Sequence, residues 1–217
     1  MINAERSPDP PKSLAKLRSW NEGDVLEKLY ADFLGKCYLT EEVLTLGNIS
    51  VDHFRPKGDP SFTHLTYEWN NLYPTSRNAN ERRPKKWPDG GLLDPASPDE
   101  DIEERLHQWL DDDCQPKFAA TDSDDLQAVN TAFQLDHIHN ARHPKAADLR
   151  DAIRAYYIKV LEKLHELRDA LDSNPQPLAD ITRLKTELCD MLSRRAPFTA
   201  LIRSKLMERW PYSEYFD

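Results

Sequence analysis

Apolar residues recur every three or four positions over most of the chain, the spacing that places them on one face of an α-helix. The pattern predicts two short helices before residue 35 and a series of helices after residue 99. Its longest run steps through seven apolar positions from Leu149 to Leu171 at nearly heptad spacing, and Ser173-Asn174-Pro175 ends it. The predicted helical segments are 13–20, 24–34, 102–110, 126–142, 146–172, 178–191 and 197–209.

The centre of the chain has a different pattern, with short extended segments and many prolines. Apolar side chains at 49, 51 and 54 alternate with polar ones directly after the turn signal Gly47-Asn48, which predicts a short strand. A second extended segment is predicted near 71–75. Seven prolines occur from Pro56 to Pro98, so long regular elements are not expected there.

The composition is that of a soluble protein of one mid-sized domain, with 217 residues, 39% hydrophobic, 31% charged and a mean hydropathy of −0.76. No run of about 18 apolar residues offers a membrane span, and the first twenty residues do not resemble a signal or transit peptide. We therefore expect a cytoplasmic protein without a membrane partner. The absence of GxxxxGK and GxGxxG excludes nucleotide binding by either motif. Three distant cysteines argue against a disulfide framework and a four-cysteine zinc site: Cys37, Cys114 and Cys189.

Charge is distributed unevenly along the chain, whose formal net charge is −9. From Asp52 to Gly90, seven Lys and Arg face five acidic residues, whereas from Gly91 to Asp125 two face twelve. We interpret the acidic stretch as a solvated linker and helix start rather than an acidic docking surface. Because the basic island is small, we expect the isolated chain to bind nucleic acid weakly and to need the basic surface of a partner.

Residues suited to phosphodiester hydrolysis are concentrated between positions 49 and 80. A metal ion must neutralise charge on the scissile phosphate, and an imidazole must take a proton from the attacking water. Consecutive residues of an ideal strand point to opposite faces, so Asp52 and His53 can serve one site only where the strand is distorted or turns. The candidate side chains are Asp52, His53, Asn70, Asn71, Asn78 and Asn80.

Four runs and one further asparagine carry a recognisable combination: Cys37-Tyr38-Leu39-Thr40-Glu41, Ile49-Ser50-Val51-Asp52-His53-Phe54-Arg55-Pro56-Lys57, Tyr67-Glu68-Trp69-Asn70-Asn71-Leu72-Tyr73-Pro74, Asn80, and Leu92-Leu93-Asp94-Pro95. Together they resemble the HNH (His-Me finger) endonucleases. More narrowly, the chain is similar to the nuclease subunits of Septu-type anti-phage systems and related retron cassettes, which are usually encoded beside an ABC-type ATPase. The match covers about Cys37 to Pro95, and weaker similarity continues through Thr131 to Arg142.

The resemblance implies a role for each matching residue. His53 is expected to be the general base, Asp52 and Asn80 the ligands of Mg²⁺ or Mn²⁺, and Asn71 the residue that orients the His53 loop by hydrogen bonds. Asn78 is the substitute ligand, because a nearby proline shortens any helix that carries Asn80. Five basic residues are expected to contact nucleic acid, although the last three also fit a solvated helix end: Arg55, Lys57, Arg83, Lys85 and Lys86.

The sequence departs from the family at the positions of a structural zinc site. Many members carry two CxxC pairs, and the corresponding positions here are Cys37 with Thr40 and Ser76 with Ala79. With one thiolate of four, no structural zinc is expected. A small ββα unit must then be stabilised by packing, for which the candidates are Trp69, Tyr73 and Trp87.

His139 and His143 form a second candidate pair, because residues four apart share a face of a helix. Pro144 follows at once and ends that helix, and His137 would point elsewhere. We interpret these histidines as polar residues of a helix end rather than as metal ligands.

The sequence therefore predicts a mainly α-helical, α+β protein with a small ββα-metal (HNH) finger and a C-terminal helical bundle. The predicted divisions are N-terminal helices at 1–36, the nuclease core at 37–98 and a C-terminal helical region at 99–217. The predicted activity is metal-dependent hydrolysis of nucleic acid, with DNA favoured, in an anti-phage complex with an ABC-type ATPase. Two alternatives remain open: a catalytically inactive docking subunit of the same fold, and an RNase acting on tRNA.

Overall fold

Helices and two small antiparallel sheets make up an α+β fold in which about half of the chain is helical. The computed structural model describes residues 1–208 and 215–216. The helices are α1 (Gly23–Asp32), α2 (Arg77–Arg82), α3 (Ile102–Arg105), α4 (Leu126–Asn140), α5 (Pro144–Asp172), α6 (Leu178–Leu192) and α7 (Thr199–Met207). The strands are β1 (Ile49–His53), β2 (Leu72–Ser76), β3 (Leu106–Leu110) and β4 (Pro116–Ala120).

The first sheet is an antiparallel pair followed directly by a short helix. Strands β1 and β2 pair from Ile49 with Ser76 to His53 with Leu72, which confirms both predicted extended segments. The Ser76 side chain then caps α2 by accepting a hydrogen bond from the amide of Ala79. This β1–β2–α2 order brings the end of β1 close to α2, so residues distant in sequence border a common cleft.

An aromatic cluster packs beneath this sheet. Tyr73 is fully buried, and its ring centroid lies 4.9 Å from that of Tyr38 and 5.1 Å from that of Phe54. Such pairs contribute about 0.5–1.5 kcal/mol each beyond the burial of their area. The predicted packing role is confirmed for Trp69 and Tyr73, and the half-buried Trp87 packs against the same core with its ring centroid 5.3 Å from that of Phe54.

The prediction of a helix over 102–110 is wrong after its first turn. Helix α3 ends at Arg105, and the chain continues as β3, which pairs antiparallel with β4. Leu106, Gln108 and Leu110 are buried along β3, so alternate residues face the interior. The C-terminal region is therefore not helical throughout, and α4 packs against the hairpin.

The long helix and its return helix form the predicted antiparallel pair. Helix α5 buries most of the predicted stripe in a core that it shares with residues of α6 and α7, but Tyr157 rather than Tyr156 lies in this core. The predicted helix over 197–209 is observed as α7 from Thr199, and Arg209 lies outside the described residues. No helix in the described part of the chain is long and apolar enough to cross a membrane.

The segment predicted as a first helix over 13–20 is shorter than expected. Only Lys12–Lys16 forms a 3₁₀ turn, and Leu17 follows in the left-handed region with φ 51°. Few bulky residues adopt that conformation, and it ends the helix before Trp20. The chain therefore approaches α1 in an irregular conformation, with Trp20 half-buried.

Candidate functional site

Three of the four predicted catalytic and metal-binding residues border one cleft of about 690 Å³. Asp52 and His53 are the last two residues of β1, and Asn80 lies on α2. The chain bends at Phe54 directly after the strand, and both neighbouring side chains border the cleft in spite of strand alternation. Asn78, the predicted substitute for Asn80, does not line this cleft.

His53 is held in one tautomer by a backbone carbonyl. Its Nε2 lies 3.0 Å from the carbonyl oxygen of Thr66, which can only accept, so Nε2 carries the proton. Nδ1 is then the basic nitrogen of the neutral ring. Burial lowers the pKa of His53 below its ordinary value of 6.5, although the Thr66 hydrogen bond opposes the shift. The imidazole is therefore neutral at pH 7.

Asn71 joins the two ends of the loop that follows His53. Its Oδ1 accepts a hydrogen bond of 2.7 Å from the amide of Arg55, and its Nδ2 donates to the carbonyl oxygens of Arg55 and Leu65 at 3.1 and 3.2 Å. The side chain is buried, so water does not compete strongly for these groups. Asn71 thus makes contacts with the His53 loop and none with the cleft itself.

The carboxylate of Asp52 is fixed through one of its oxygens. The Tyr38 hydroxyl and Arg83 Nη1 each donate to Oδ2 at 2.6 Å. Burial raises the pKa of Tyr38 well above its ordinary value, so the hydroxyl keeps its proton and donates. Among the described residues nothing donates to Oδ1 of Asp52.

Arg83 also lines the cleft, but its guanidinium is engaged by neighbouring protein groups. Its side chain is 6% exposed, and Nη1 also donates to the carbonyl oxygen of His53 at 2.7 Å. Nη2 donates to the carbonyl oxygen of Phe54, and Nε to Gln134 at 3.3 Å. A guanidinium engaged in this way is not free to line a phosphate path, because moving it would leave Asp52 unpaired. Its contacts position Asp52 and the end of β1.

The four other predicted nucleic-acid contacts are divided among different surfaces. Lys57 and Lys85 line the cleft, and Lys85 Nζ also donates to the backbone oxygen of Asn80 at 3.0 Å. Arg55 lines a neighbouring cavity with Phe54 and Phe62 instead. Lys86 is exposed and borders neither cavity.

Trp20 is a cleft residue that the sequence analysis missed. Its ring centroid lies 5.1 Å from that of His53, in an edge-to-face arrangement at 75°. The ammonium of Lys57 lies 3.5 Å from the centroid of the same indole ring. The sequence does contain one indication of this role. Trp20 is a large aromatic residue between polar neighbours, and it lies beyond the end of the observed 3₁₀ turn.

A polar cluster surrounds Cys37, Thr40 and Ser76, three positions that the sequence analysis considered for a structural zinc. Oε2 of Glu42 accepts hydrogen bonds from the hydroxyls of Thr40 at 2.8 Å and Ser76 at 3.0 Å. Cys37 Sγ lies 3.5 Å from the hydroxyl of Thr75. The carboxylate of Glu42 thereby connects the segment before β1 to the start of α2.

The remaining polar groups of the cleft determine whether a cation would fit. In the described part of the chain no three His, Cys, Asp or Glu side chains form a metal-binding group. Asp52 and Asn80 nevertheless offer a carboxylate and an amide oxygen to the same cleft, and no described residue bonds to the Asn80 amide group. Hard oxygen donors of this kind suit Mg²⁺, which keeps several waters and needs few protein ligands.

Comparison with protein-family models, curated proteins and solved structures found no match for this chain.

Proposed function

We propose that the chain is a metal-dependent endonuclease of the HNH type, which hydrolyses phosphodiester bonds of nucleic acid with DNA as the favoured substrate. The observation that carries the proposal is the common cleft of Asp52, His53 and Asn80. A neutral imidazole beside two oxygen donors is the set of groups that this hydrolysis needs. The β1–β2–α2 order supports the proposal, because the resemblance implies that order.

His53 is the general base in this proposal. Its Nδ1 accepts a proton from a water molecule as that water attacks the phosphorus. Nε2 keeps its own proton throughout, since the Thr66 carbonyl oxygen accepts it at 3.0 Å. Asn71 holds the loop between β1 and β2, so the imidazole needs no reorganisation during proton transfer.

Asp52 and Asn80 would hold the divalent cation, Mg²⁺ or Mn²⁺. Such an ion, when bound, neutralises charge on the scissile phosphate and on the leaving oxygen. Tyr38 and Arg83 bind Oδ2 of Asp52, and no described residue donates to Oδ1. Hydrogen bonds of this kind orient a ligand before the metal arrives and tune its basicity.

The test is cleavage of plasmid DNA and of total tRNA with Mg²⁺, Mn²⁺ or EDTA. We expect His53→Ala to lower the rate by about 10²–10⁴-fold, the usual contribution of a general base. Asn80→Ala should also lower the rate and raise the metal concentration required. The matched control is Asn78→Ala, an asparagine on the same helix that does not line the cleft.

Each other outcome selects a different function. Equal behaviour of the wild type and His53→Ala, with every metal and substrate, would replace the nuclease by the docking-subunit alternative. Cleavage of tRNA without cleavage of plasmid DNA or of single-stranded DNA would favour the RNase alternative.

The resemblance is also the basis for proposing an anti-phage role with an ABC-type ATPase partner. The small number of lysines at the cleft supports a need for additional basic surface. Cleavage should therefore be measured both alone and with an ABC-type ATPase of the kind that the resemblance implies. An unchanged rate in the presence of that ATPase would contradict the partnership without contradicting the nuclease.

A further inference from the structure

We propose that the cleft takes an unpaired strand of nucleic acid, with one base stacked on the indole ring of Trp20 beside His53. The inference rests on the proposed nuclease function and adds the substrate class, single-stranded nucleic acid. It is drawn from the aromatic wall, the size and the charge of the cleft.

Trp20 presents an aromatic surface next to the proposed general base. The residue is half-buried, its ring meets His53 edge to face, and the ring of Tyr67 lies 5.9 Å away. The Lys57 ammonium lies over the indole. Cation–π contacts at exposed positions are weak, so a phosphate that attracts Lys57 would leave the indole available to a base.

The dimensions of the cleft fit a short stretch of single strand. Its volume of about 690 Å³ is within the range of small-molecule pockets, roughly 300–1,000 Å³. Apolar side chains of three prolines line its walls with Trp20: Pro56, Pro60 and Pro84. A paired base has both faces covered by its neighbours in the duplex, so only an unpaired base can stack on an indole.

The cleft carries too few positive charges to bind a duplex mainly through its phosphate backbone. Lys57 and Lys85 line it together with Asp59, and Arg83 is paired with Asp52. Two lysines would neutralise two phosphates, which gives a slope of log affinity against log salt of about −1.4 for a single strand. Stacking must therefore supply most of the affinity.

The first experiment measures binding by fluorescence anisotropy in EDTA, which prevents metal-dependent cleavage. The probes are labelled 12-nucleotide single-stranded DNA, single-stranded RNA of the same sequence, and the corresponding DNA duplex. We expect at least one single strand to bind tenfold more tightly than the duplex, with the shallow salt slope given above. The relative affinities of the two single strands then decide between DNA and RNA.

Two substitutions at one position separate stacking from packing. Trp20→Leu keeps an apolar side chain but removes the aromatic face, and should weaken single-strand binding by about 5- to 150-fold, the usual effect of losing one stacked base. Trp20→Phe should restore most of the affinity. Phe133→Ala removes an aromatic side chain that is 70% exposed and does not line the cleft, and should leave the affinity unchanged.

A contact between Lys57 and a phosphate can be recognised from the salt dependence of binding. Lys57→Gln should reduce the magnitude of the salt slope by about 0.7, the value of one phosphate contact on a single strand. Trp20→Leu should lower affinity by a similar factor at every salt concentration.

The inference is overturned if the duplex binds as tightly as both single strands, or if Trp20→Leu binds like Trp20→Phe. Failure of the nuclease proposal gives a different result. In that case no substrate is cleaved in a His53-dependent manner, while binding that depends on the Trp20 ring persists.

Discussion

The side chain of Asn71 joins three backbone groups of the loop that follows His53. Asn71→Asp keeps the acceptor for the Arg55 amide but points a second oxygen at two carbonyl oxygens that can only accept. We therefore expect Asn71→Asp to lower the free energy of unfolding by about 2–4 kcal/mol. Asn71→Ala should cause a loss of the same size. Urea unfolding at pH 7 measures this loss, and an aspartate variant as stable as the wild type would contradict it.

His139 is a buried histidine rather than the polar helix-end residue that its sequence position suggests. It is 1% exposed, its Nδ1 donates to the carbonyl oxygen of Leu135 at 2.8 Å, and its ring packs 4.7 Å from that of Phe118. Burial lowers the pKa of His139 from 6.5 to about 3. Charged groups near it include Arg82, Glu41, the Met1 ammonium and Arg150, which donates to its backbone oxygen.

This pKa shift predicts a loss of stability in mild acid. Between pH 6.5 and about 3 the unfolded histidine holds a proton that the folded one does not. The contribution of His139 is therefore fully present above pH 6.5 and decreases as the pH falls toward 3. From pH 7 to 5 the wild type should lose about 2 kcal/mol more than His139→Gln. Urea unfolding at both pH values measures this difference, and equal losses would contradict the prediction.

At the scale of elements, Ser76 connects α2 to the segment before β1. Its hydroxyl caps the helix through the amide of Ala79 and donates to Glu42. Ser76→Ala should cost about 1–2 kcal/mol of unfolding free energy, since it removes both contacts. Ser76→Asp keeps a cap but places a carboxylate against Glu42, so Glu42→Gln should improve its stability.

A double-mutant cycle of Ser76→Ala and Glu42→Ala measures the coupling directly by urea unfolding. We expect a coupling energy of at least about 0.5 kcal/mol, as found for side chains in contact. Additive losses would show that the contact between these two side chains contributes nothing to α2.

Elements were predictable where one periodicity was clear. Strand β1 followed a turn signal, and α5 carried a stripe that no strand could bury. Residues 106–110 fitted both the helical and the strand periodicity. Leu106 and Leu110 are four residues apart, which places them on one face of a helix and also on one face of a strand. The partner β4 decided the outcome, and pairing between distant residues is not visible in a local pattern. Leu178 began a predicted stripe yet is 70% exposed, since α6 starts before its packed segment.

At the scale of the molecule, the candidate site combines contacts that local sequence could predict and contacts that it could not. The resemblance supplied Asp52 and His53 from one run of the chain and Asn80 from a separate position, and all three border one cleft. Trp20 reaches that cleft from a segment before α1, and Arg83 turns inward to bind Asp52. Both positions depend on tertiary packing, in which a side chain is fixed by neighbours that the sequence does not identify.

A buried ionic cluster connects the segment before β1 to α7. Glu41 accepts from the Met1 ammonium at 2.6 Å, from Lys36 at 3.4 Å and from the amide of Ala200 at 3.2 Å. Lys36 also donates to Thr199 at 3.1 Å. Burial alone would raise the pKa of Glu41, but the two cations hold it at about 2.

Because both cations are buried, removing the carboxylate should destabilise the whole molecule. Glu41→Gln leaves two buried cations without their counter-ion, and we expect it to lower the free energy of unfolding by about 3–5 kcal/mol. Glu81→Gln is the matched control, since Glu81 pairs with Arg77 and Lys145 on the surface, where water screens the ion pairs, and this substitution should change stability far less than Glu41→Gln. Urea unfolding followed by circular dichroism compares them. Similar losses in the two variants would mean that the cluster is no more important than a surface ion pair, and that apolar packing alone holds α7 to the rest of the chain.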